Sequence, residues 1–267
     1  MRDSGLVESV FDRAARTYGS VGTDFFRRTA ERLTQDLSFE SGTVCVDVGA
    51  GTGAVTFPMA QRLFPDGFVL AVDRSAQMLD QLRARVSGLA GCPTAPVVMD
   101  AGALGIRTGC ADVVVSSLAM PFFDDPVGAL REMRRVLRPR GRLAVSTSPG
   151  WWWQEDHRWD WHAKLLHDLG VGIEPPLPST GPAALLSWCA SAGFTDITTE
   201  SQSFAITWIS VNEFWAWCWS HGWRGVLESM TDTDASFYEA SCRRHLGQPE
   251  SLMGRVTVSF ATARSGG

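Results

Sequence analysis

Apolar residues recur at three- and four-residue steps through the opening segment, LVESVFDRAARTYGSVGTDFFRRTAERLTQDL, with a break around Tyr18 to Gly22. That period predicts two amphipathic helices. The pattern then changes: a short apolar run, TVCVDVG, ends in a glycine-rich turn, and helical spacing resumes through TFPMAQRLF. GFVLAVDRS, APVVMDAGAL, CADVVVSSLAM and RLAVSTSP are further apolar runs of strand length, separated in part by AQMLDQLRARVSGL and DPVGALREMRRVLR, which carry helical spacing; PRG closes the last of these helices. Strands and helices alternating at these lengths predict a parallel sheet covered on both faces, an α/β Rossmann-like doubly wound fold.

The rhythm stops at Gly150. GWWWQEDHRWDWH places five tryptophans in thirteen residues and leads into a proline-broken loop, GIEPPLPSTGP; AALLSWCASAGF then resumes helical spacing. TDITTESQSFAITW and RVTVSFATARS have strand character and flank SVNEFWAWCWSHGWRGVLESM and another helix. Trp215, Trp217 and Trp219 alternate, yet Phe214 and the stretch from His221 to Trp223 spoil a strand period, so a helix with aromatics around most of its surface fits as well. One domain over residues 1–267 is expected: amino-terminal helices in 1–40, the glycine-turn core in 41–149, a helical tryptophan-rich cap inserted after the fifth strand in 150–182 and 209–250, and a closing helix and strands in 183–208 and 251–264. The sheet is expected to be mostly parallel with an antiparallel last strand.

Composition narrows the function classes. The chain has 267 residues, 45% of them hydrophobic, which is ample for a buried core. Its formal charge of −5 argues against a sequence-independent nucleic-acid partner, which needs a basic surface to neutralise phosphates. No apolar run reaches membrane-spanning length and MRDSGLVESVFDRA lacks the apolar core of a signal peptide, so a cytoplasmic protein is expected. The six cysteines contain no C-x-x-C pair, which suggests neither a zinc cage nor a disulfide scaffold. All 11 tryptophans and all five histidines lie from residue 151 onward, whereas the glycine turn precedes it. The two halves are expected to do different jobs.

VDVGAGTGA satisfies two patterns. Gly49, Gly51 and Ala54 fit the G-x-G-x-x-G/A of dinucleotide binders; Gly49, Gly51 and Gly53 fit the G-x-G-x-G of S-adenosylmethionine binders. The physics is shared: a turn without side chains lets a ligand reach the backbone, and the helix that follows offers free N–H groups. Asp47 discriminates, because a carboxylate two residues before the first glycine suits an ammonium and a sulfonium better than a pyrophosphate. Asp73, ending the second strand, can accept from two ribose hydroxyls. Asp100, ending the third, can accept from the exocyclic amine of adenine.

Five runs extend the match: FDRAARTYG, VDVGAGTG, AVDRSAQML, VVMDAGAL and ADVVVSSLAMPFFDDPVGALREMRRVLRPRGRLAVS. Through them, from about Phe11 to Ser146, the chain resembles the class I S-adenosylmethionine-dependent methyltransferases, specifically the subgroup similar to ubiquinone and menaquinone biosynthesis enzymes. The resemblance implies that Gly49, Gly51 and Gly53 contact the methionine moiety, Asp73 the ribose, Arg74 and Met78 the adenine faces, and Asp100 with Ala101 the adenine edge. It also implies that Ser117 and Leu118 line the sulfonium side and that Tyr18 closes over the cofactor, where it is expected with His157 among the catalytic residues. There are two departures. Relatives often carry a histidine after the fourth strand in a pattern like A-L-H, where this chain has Pro121 following Ala119 and Met120; Arg140 stands in place of the first glycine of the usual P-G-G turn.

In this family the segment after the fifth strand commonly lies above the cofactor, so Trp151, Trp152, Trp153, Trp159 and Trp161 are expected to form the wall of an acceptor pocket, with Phe122, and with Trp219 from the second cluster. The acceptor would then be a bulky aromatic, prenylated or polyketide-like small molecule, methylated at oxygen or carbon, in secondary metabolism. A proton acceptor is needed only where the acceptor must lose a proton. His157, His162, His167 and His221 are candidates, and His157 is the first choice. Successive histidines at 157, 162 and 167 stand roughly 140° apart on a helix, so no metal face is expected. Indole faces can also hold a cation, which leaves C-methylation through a carbocation open. Three other readings compete: a non-catalytic S-adenosylmethionine-binding module, a nicotinamide-dependent oxidoreductase, and a membrane-associated quinone C-methyltransferase. The intact acids at three strand ends oppose the first, Asp47 the second, and the want of a basic amphipathic helix the third. A homodimer through the amino-terminal helix or the cap is left open.

Overall fold

In a computed structural model, which describes residues 4–87, 91, 93–148, 150–172, 181–248 and 252–266, seven strands form one sheet. They are β1 (Val44–Val48), β2 (Phe68–Asp73), β3 (Thr94–Val98), β4 (Ala111–Ser117), β5 (Leu137–Thr147), β6 (Thr195–Thr207) and β7 (Met253–Arg264), in the order β3-β2-β1-β4-β5-β7-β6. The pairs β1–β2, β1–β4, β2–β3 and β4–β5 are parallel, and β7 runs antiparallel between β5 and β6. The sheet is therefore mostly parallel with an antiparallel last strand. β1 has β2 on one side and β4 on the other, so strand order reverses there and a crevice opens beyond the carboxyl ends of those strands.

Helices cover the sheet: α1 (Ser4–Ala14), α2 (Phe25–Thr34), α3 (Thr56–Arg62), α4 (Ala76–Val86), α5 (Pro126–Val136), α6 (Asp160–Asp168), α7 (Pro182–Ser191), α8 (Val211–Trp219), α9 (Trp223–Glu228) and α10 (Asp232–His245). Both faces are buried because alternate strand residues serve different cores: Cys45, Val113, Val115 and Ala144 pack on one side, Val46, Val48, Val114, Leu143 and Val145 on the other. α5 starts where Asp125 accepts from Gly128 N–H at 2.9 Å, ahead of Pro126, and it buries Ala129, Leu130, Met133 and Val136 at helical spacing.

The chain departs from the sequence expectation in two places. Where one aromatic helix and one further helix were expected after residue 209, there are three helices. Ser210 caps α8 by accepting from Glu213 N–H (3.1 Å), Gly222 separates α8 from α9, and Thr231 caps α10 by accepting from Asp234 N–H (3.2 Å). PRG does not precede β5 but lies inside it as an irregularity: Ala111 pairs with Leu137, Val113 with Arg142, and Arg140 takes φ +61 with its N–H on Gly266 O at 2.8 Å. Most of GIEPPLPSTGP lies outside the described residues.

The cap after β5 builds a core of indoles. Trp152, Trp159, Trp217 and Trp223 are almost fully buried and continue the core that covers one face of the sheet. They meet edge to face: Trp152 lies 4.8 Å from both Trp217 and Trp223 at steep angles. This is the geometry that aromatic quadrupoles favour. The indole N–H groups of Trp151, Trp152 and Trp217 have no hydrogen-bond acceptor among the described residues. Among the described residues no helix is long and apolar enough to cross a membrane.

Candidate active site

The crevice at the carboxyl ends of β1, β2 and β4 is built around the glycine turn. Gly49, Gly51 and Gly53 take φ values of +74, +53 and +99, a region L side chains rarely enter. Close packing adds to the requirement at the outer two. A Cβ at position 49 would lie 2.4 Å from Ala119 Cβ, and one at 53 would lie 2.5 Å from Phe57 Cε2. Gly49 N–H and Ala50 N–H donate to Val72 O at 2.8 and 3.0 Å, tying the turn to the end of β2.

Three carboxylates stand at the three strand ends. Asp73 accepts from Gly51 N–H (2.8 Å) and Ser75 N–H (2.9 Å), one on each oxygen, which fixes the carboxylate and leaves lone pairs on both. Burial pushes its pKa up in spite of those bonds. Asp47 is 1% exposed and accepts from Thr56 Oγ1 at 2.6 Å. Burial, aided by the charge of Asp73 and opposed by Thr56, raises it to about 7. A buried acid so poised is stabilised as the carboxylate by any cation brought beside it. Asp100 accepts from Gly102 N–H (2.6 Å) and is paired with Arg74, whose guanidinium also reaches Asp124 at 3.4 Å. Burial opposes ionisation of Asp100, but the hydrogen bonds and charge of Arg74, with the Gly102 N–H, outweigh it and hold the pKa below the ordinary carboxylate value.

Two cavities adjoin here. The first, of about 240 Å³, is lined by Tyr18, Gly49, Gly51, Asp73, Arg74, Met78, Asp100, Ala101, Ser117 and Leu118, with Phe122 among others. The second, of about 110 Å³, is aromatic, with Trp151, Trp152, Trp217, Phe25, Phe26 and His221 in its wall. Phe11, Tyr18, Leu118 and Phe122 belong to both and form the partition. A compartment of about 30 Å³ beside the partition takes in Asp47 and the glycine turn.

The partition is held under strain. Leu118 takes φ +57, which costs a non-glycine residue roughly 1–2 kcal/mol. Its N–H donates to both Ser146 O and Ser146 Oγ at 3.1 Å. Tyr18 stacks on Phe26 at 4.9 Å, and Thr52 Oγ1 donates to its carbonyl at 3.4 Å, drawing the amino-terminal segment over the glycine turn. Burial, with the charge of Asp73 as the second cause, pushes the phenol well above its ordinary value. The phenol is therefore held protonated.

Of the cofactor positions read from the sequence, all but Asp47 and Gly53 line the first cavity; Asp47 lines the small compartment beside it, and Gly53 lines none of the three. The aromatic expectation divides. Trp151 and Trp152 line the second cavity, whereas Trp153, Trp159, Trp161 and Trp219 line neither cavity. Trp159 Nε1 donates to Met253 O at 2.7 Å, Trp161 stacks on His245 at 4.2 Å, and Trp219 lies under Arg224. Trp153 packs against His162 at 5.2 Å. Their rings are taken up in packing the cap. His157 is exposed at the start of a short 3-10 turn capped by Asp156 and reaches neither cavity. His162 is fully buried against Tyr238, with Nε2 and the phenol oxygen 2.6 Å apart. His221 is the histidine at the aromatic cavity. Phe11, Phe25 and Phe26 were not singled out from the sequence; the doublet in TDFFRR at a helix start was the available signal.

Residues 46–145 match the family described as a methyltransferase domain. The chain is 29% identical over 268 residues to nocamycin O-methyltransferase of Saccharothrix syringae, covering 95% of each chain. It is 32% identical over 152 residues to aklanonic acid methyltransferase DauC of Streptomyces sp. strain C5, covering 56% of this chain and 69% of that protein. Of solved structures, the YcgJ protein of Bacillus subtilis shares the fold, with a TM-score of 0.58 over 90% of this chain and 99% of that one at 14% identity.

Proposed function

The chain belongs to the class I S-adenosylmethionine-dependent methyltransferases acting on small molecules, and from that membership we propose that it methylates an acidic oxygen of a bulky aromatic or polyketide-like acceptor held in the tryptophan-lined cavity. The observation that carries this reading is the shared partition: Phe11, Tyr18, Leu118 and Phe122 face both the acid-lined cavity and the aromatic one. Oxygen is favoured over carbon by the names of both relatives, one an O-methyltransferase and the other acting on an acid.

The residues present fit the cofactor. Two acids that burial disfavours as anions, Asp47 and Asp73, suit a ligand that brings an ammonium, a sulfonium and two ribose hydroxyls. In this reading Asp73 takes the ribose, Arg74 and Met78 flank the adenine, Asp100 and Ala101 meet its edge, and Gly49 and Gly51 leave room for the methionine portion against the backbone. Asp47 answers the ammonium. The bound cofactor supplies an electrophilic methyl group. The chain's own part is to hold an oxygen in line with that group and to exclude water, and an apolar cavity walled by Tyr18, Phe26 and the indoles suits both.

Methyl transfer to a panel of aromatic polyketide acids, followed by mass spectrometry, tests the reading. Trp217→Ala is expected to raise KM for the acceptor by about tenfold, from lost aromatic area, while leaving cofactor affinity unchanged. An unchanged KM would remove the aromatic cavity as the acceptor site.

A further inference from the structure

His221 lies at the joint between α8 and α9. None of the described residues lining the aromatic cavity carries a formal charge; its polar groups are His221, Tyr18, Ser148 and the indoles. Ser148 Oγ donates to Gly150 O at 2.8 Å. Tyr18 sits in the partition. The imidazole of His221 is clamped: Trp217 meets it edge to face at 4.0 Å, Trp152 lies at 6.0 Å and Phe26 at 6.5 Å. Nδ1 accepts from Trp223 N–H at 3.3 Å. A neutral imidazole whose Nδ1 lone pair is engaged carries its proton on Nε2.

We propose that His221 orients the acceptor by donating a hydrogen bond from Nε2–H to an oxygen beside the methylated position, and that the acceptor is therefore a carboxylate or enolate that arrives already ionised. The inference rests on the reading of the aromatic cavity as the acceptor site. Burial drives the His221 pKa down to about 3 against the opposing hydrogen bonds of the ring with the backbone of His221 and Cys218, so the ring stays neutral at physiological pH. An oxyanion needs no base. Its oxygen lone pair forms the bond to the methyl carbon, the carbon–sulfur bond breaks with its electron pair passing to sulfur, and no proton moves. The acceptor's negative charge and the sulfonium's positive charge disappear together, which matches a cavity wall with no ion of its own.

The tautomer is read directly by nitrogen NMR of histidine-labelled protein, with His221→Gln assigning the resonances. Expected are a bare Nδ1 and a protonated Nε2, unchanged between about pH 5 and 8. A proton on Nδ1, or an imidazolium near neutrality, would overturn the proposal in the wild-type protein without recourse to a variant. With S-adenosylhomocysteine bound, tryptophan fluorescence then follows titration with 2-naphthoate and with 2-methylnaphthalene. His221→Phe is expected to weaken naphthoate about ten- to a hundredfold while sparing methylnaphthalene, and His221→Gln, which keeps an N–H donor, to retain most of the affinity. Binding of both probes without dependence on residue 221 overturns the role of His221 alone. Binding of neither probe to any variant overturns the acceptor-site reading together with it.

Discussion

Replacing Asp73 by Asn isolates one carboxylate at the centre of the crevice. The side chain keeps its shape but loses its charge, and one of its two atoms becomes a donor. In the wild type each oxygen accepts one backbone N–H, from Gly51 at 2.8 Å and from Ser75 at 2.9 Å. In Asp73→Asn one of these donors must face an amide NH2. The ribose loses one charge-assisted hydrogen bond outright and has the other weakened to a neutral one, for a total of about 2–4 kcal/mol, or roughly 30- to 1,000-fold in Kd. Stability moves less. An unpaired buried N–H costs about 1–3 kcal/mol, while removal of a charge that burial disfavours acts in the opposite sense. Calorimetric titration with S-adenosylhomocysteine, alongside a thermal melt by circular dichroism, separates the two effects. A folded Asp73→Asn protein that binds within about threefold of wild type would refute the ribose assignment and the hydrogen-bond reasoning behind it.

Two further outcomes follow from buried groups and backbone geometry. Burial lowers His162 and His221 to about 3, so between that value and about 6.5 the unfolded chain binds more protons than the folded one. Stability is fully present above about pH 6.5 and is lost as pH falls, by up to about 1.4 kcal/mol per pH unit for each ring; urea melts at descending pH should show a shallower slope in His162→Gln than in wild type, and equal slopes would contradict this. Gly49→Ala combines a left-handed backbone with a Cβ 2.4 Å from Ala119 Cβ, and a stability loss of about 2–4 kcal/mol is expected in thermal melts, with wild-type melting as the contrary result.

The cofactor crevice was legible because its signals are local. A turn that needs left-handed φ at Gly49, Gly51 and Gly53 can be written in few ways, and the apolar runs of β1, β2 and β3 each stop within two residues of an aspartate, Asp47, Asp73 or Asp100. The acceptor side was legible only as a region. Nothing local separates Trp151 and Trp152, which line the aromatic cavity, from Trp159, which binds Met253 O, because the difference arises from how the cap folds back on β7. His157 shares a segment with five tryptophans and so attracts attention, yet its own turn holds it in solvent. His221 stands far along the chain from Trp152 and Phe26, and only the packing of the cap against the amino-terminal helices brings its ring beside theirs. The helix breaks at Gly222 and Thr231 did carry ordinary capping signals, which the density of aromatics masked.

A crystal structure with S-adenosylhomocysteine bound tests the central claim most directly. The account predicts adenosine lying along Asp73 and Asp100, with the sulfur at Leu118 and Tyr18 and turned toward the cavity walled by Trp152 and Trp217. A sulfur turned away from that cavity would contradict it.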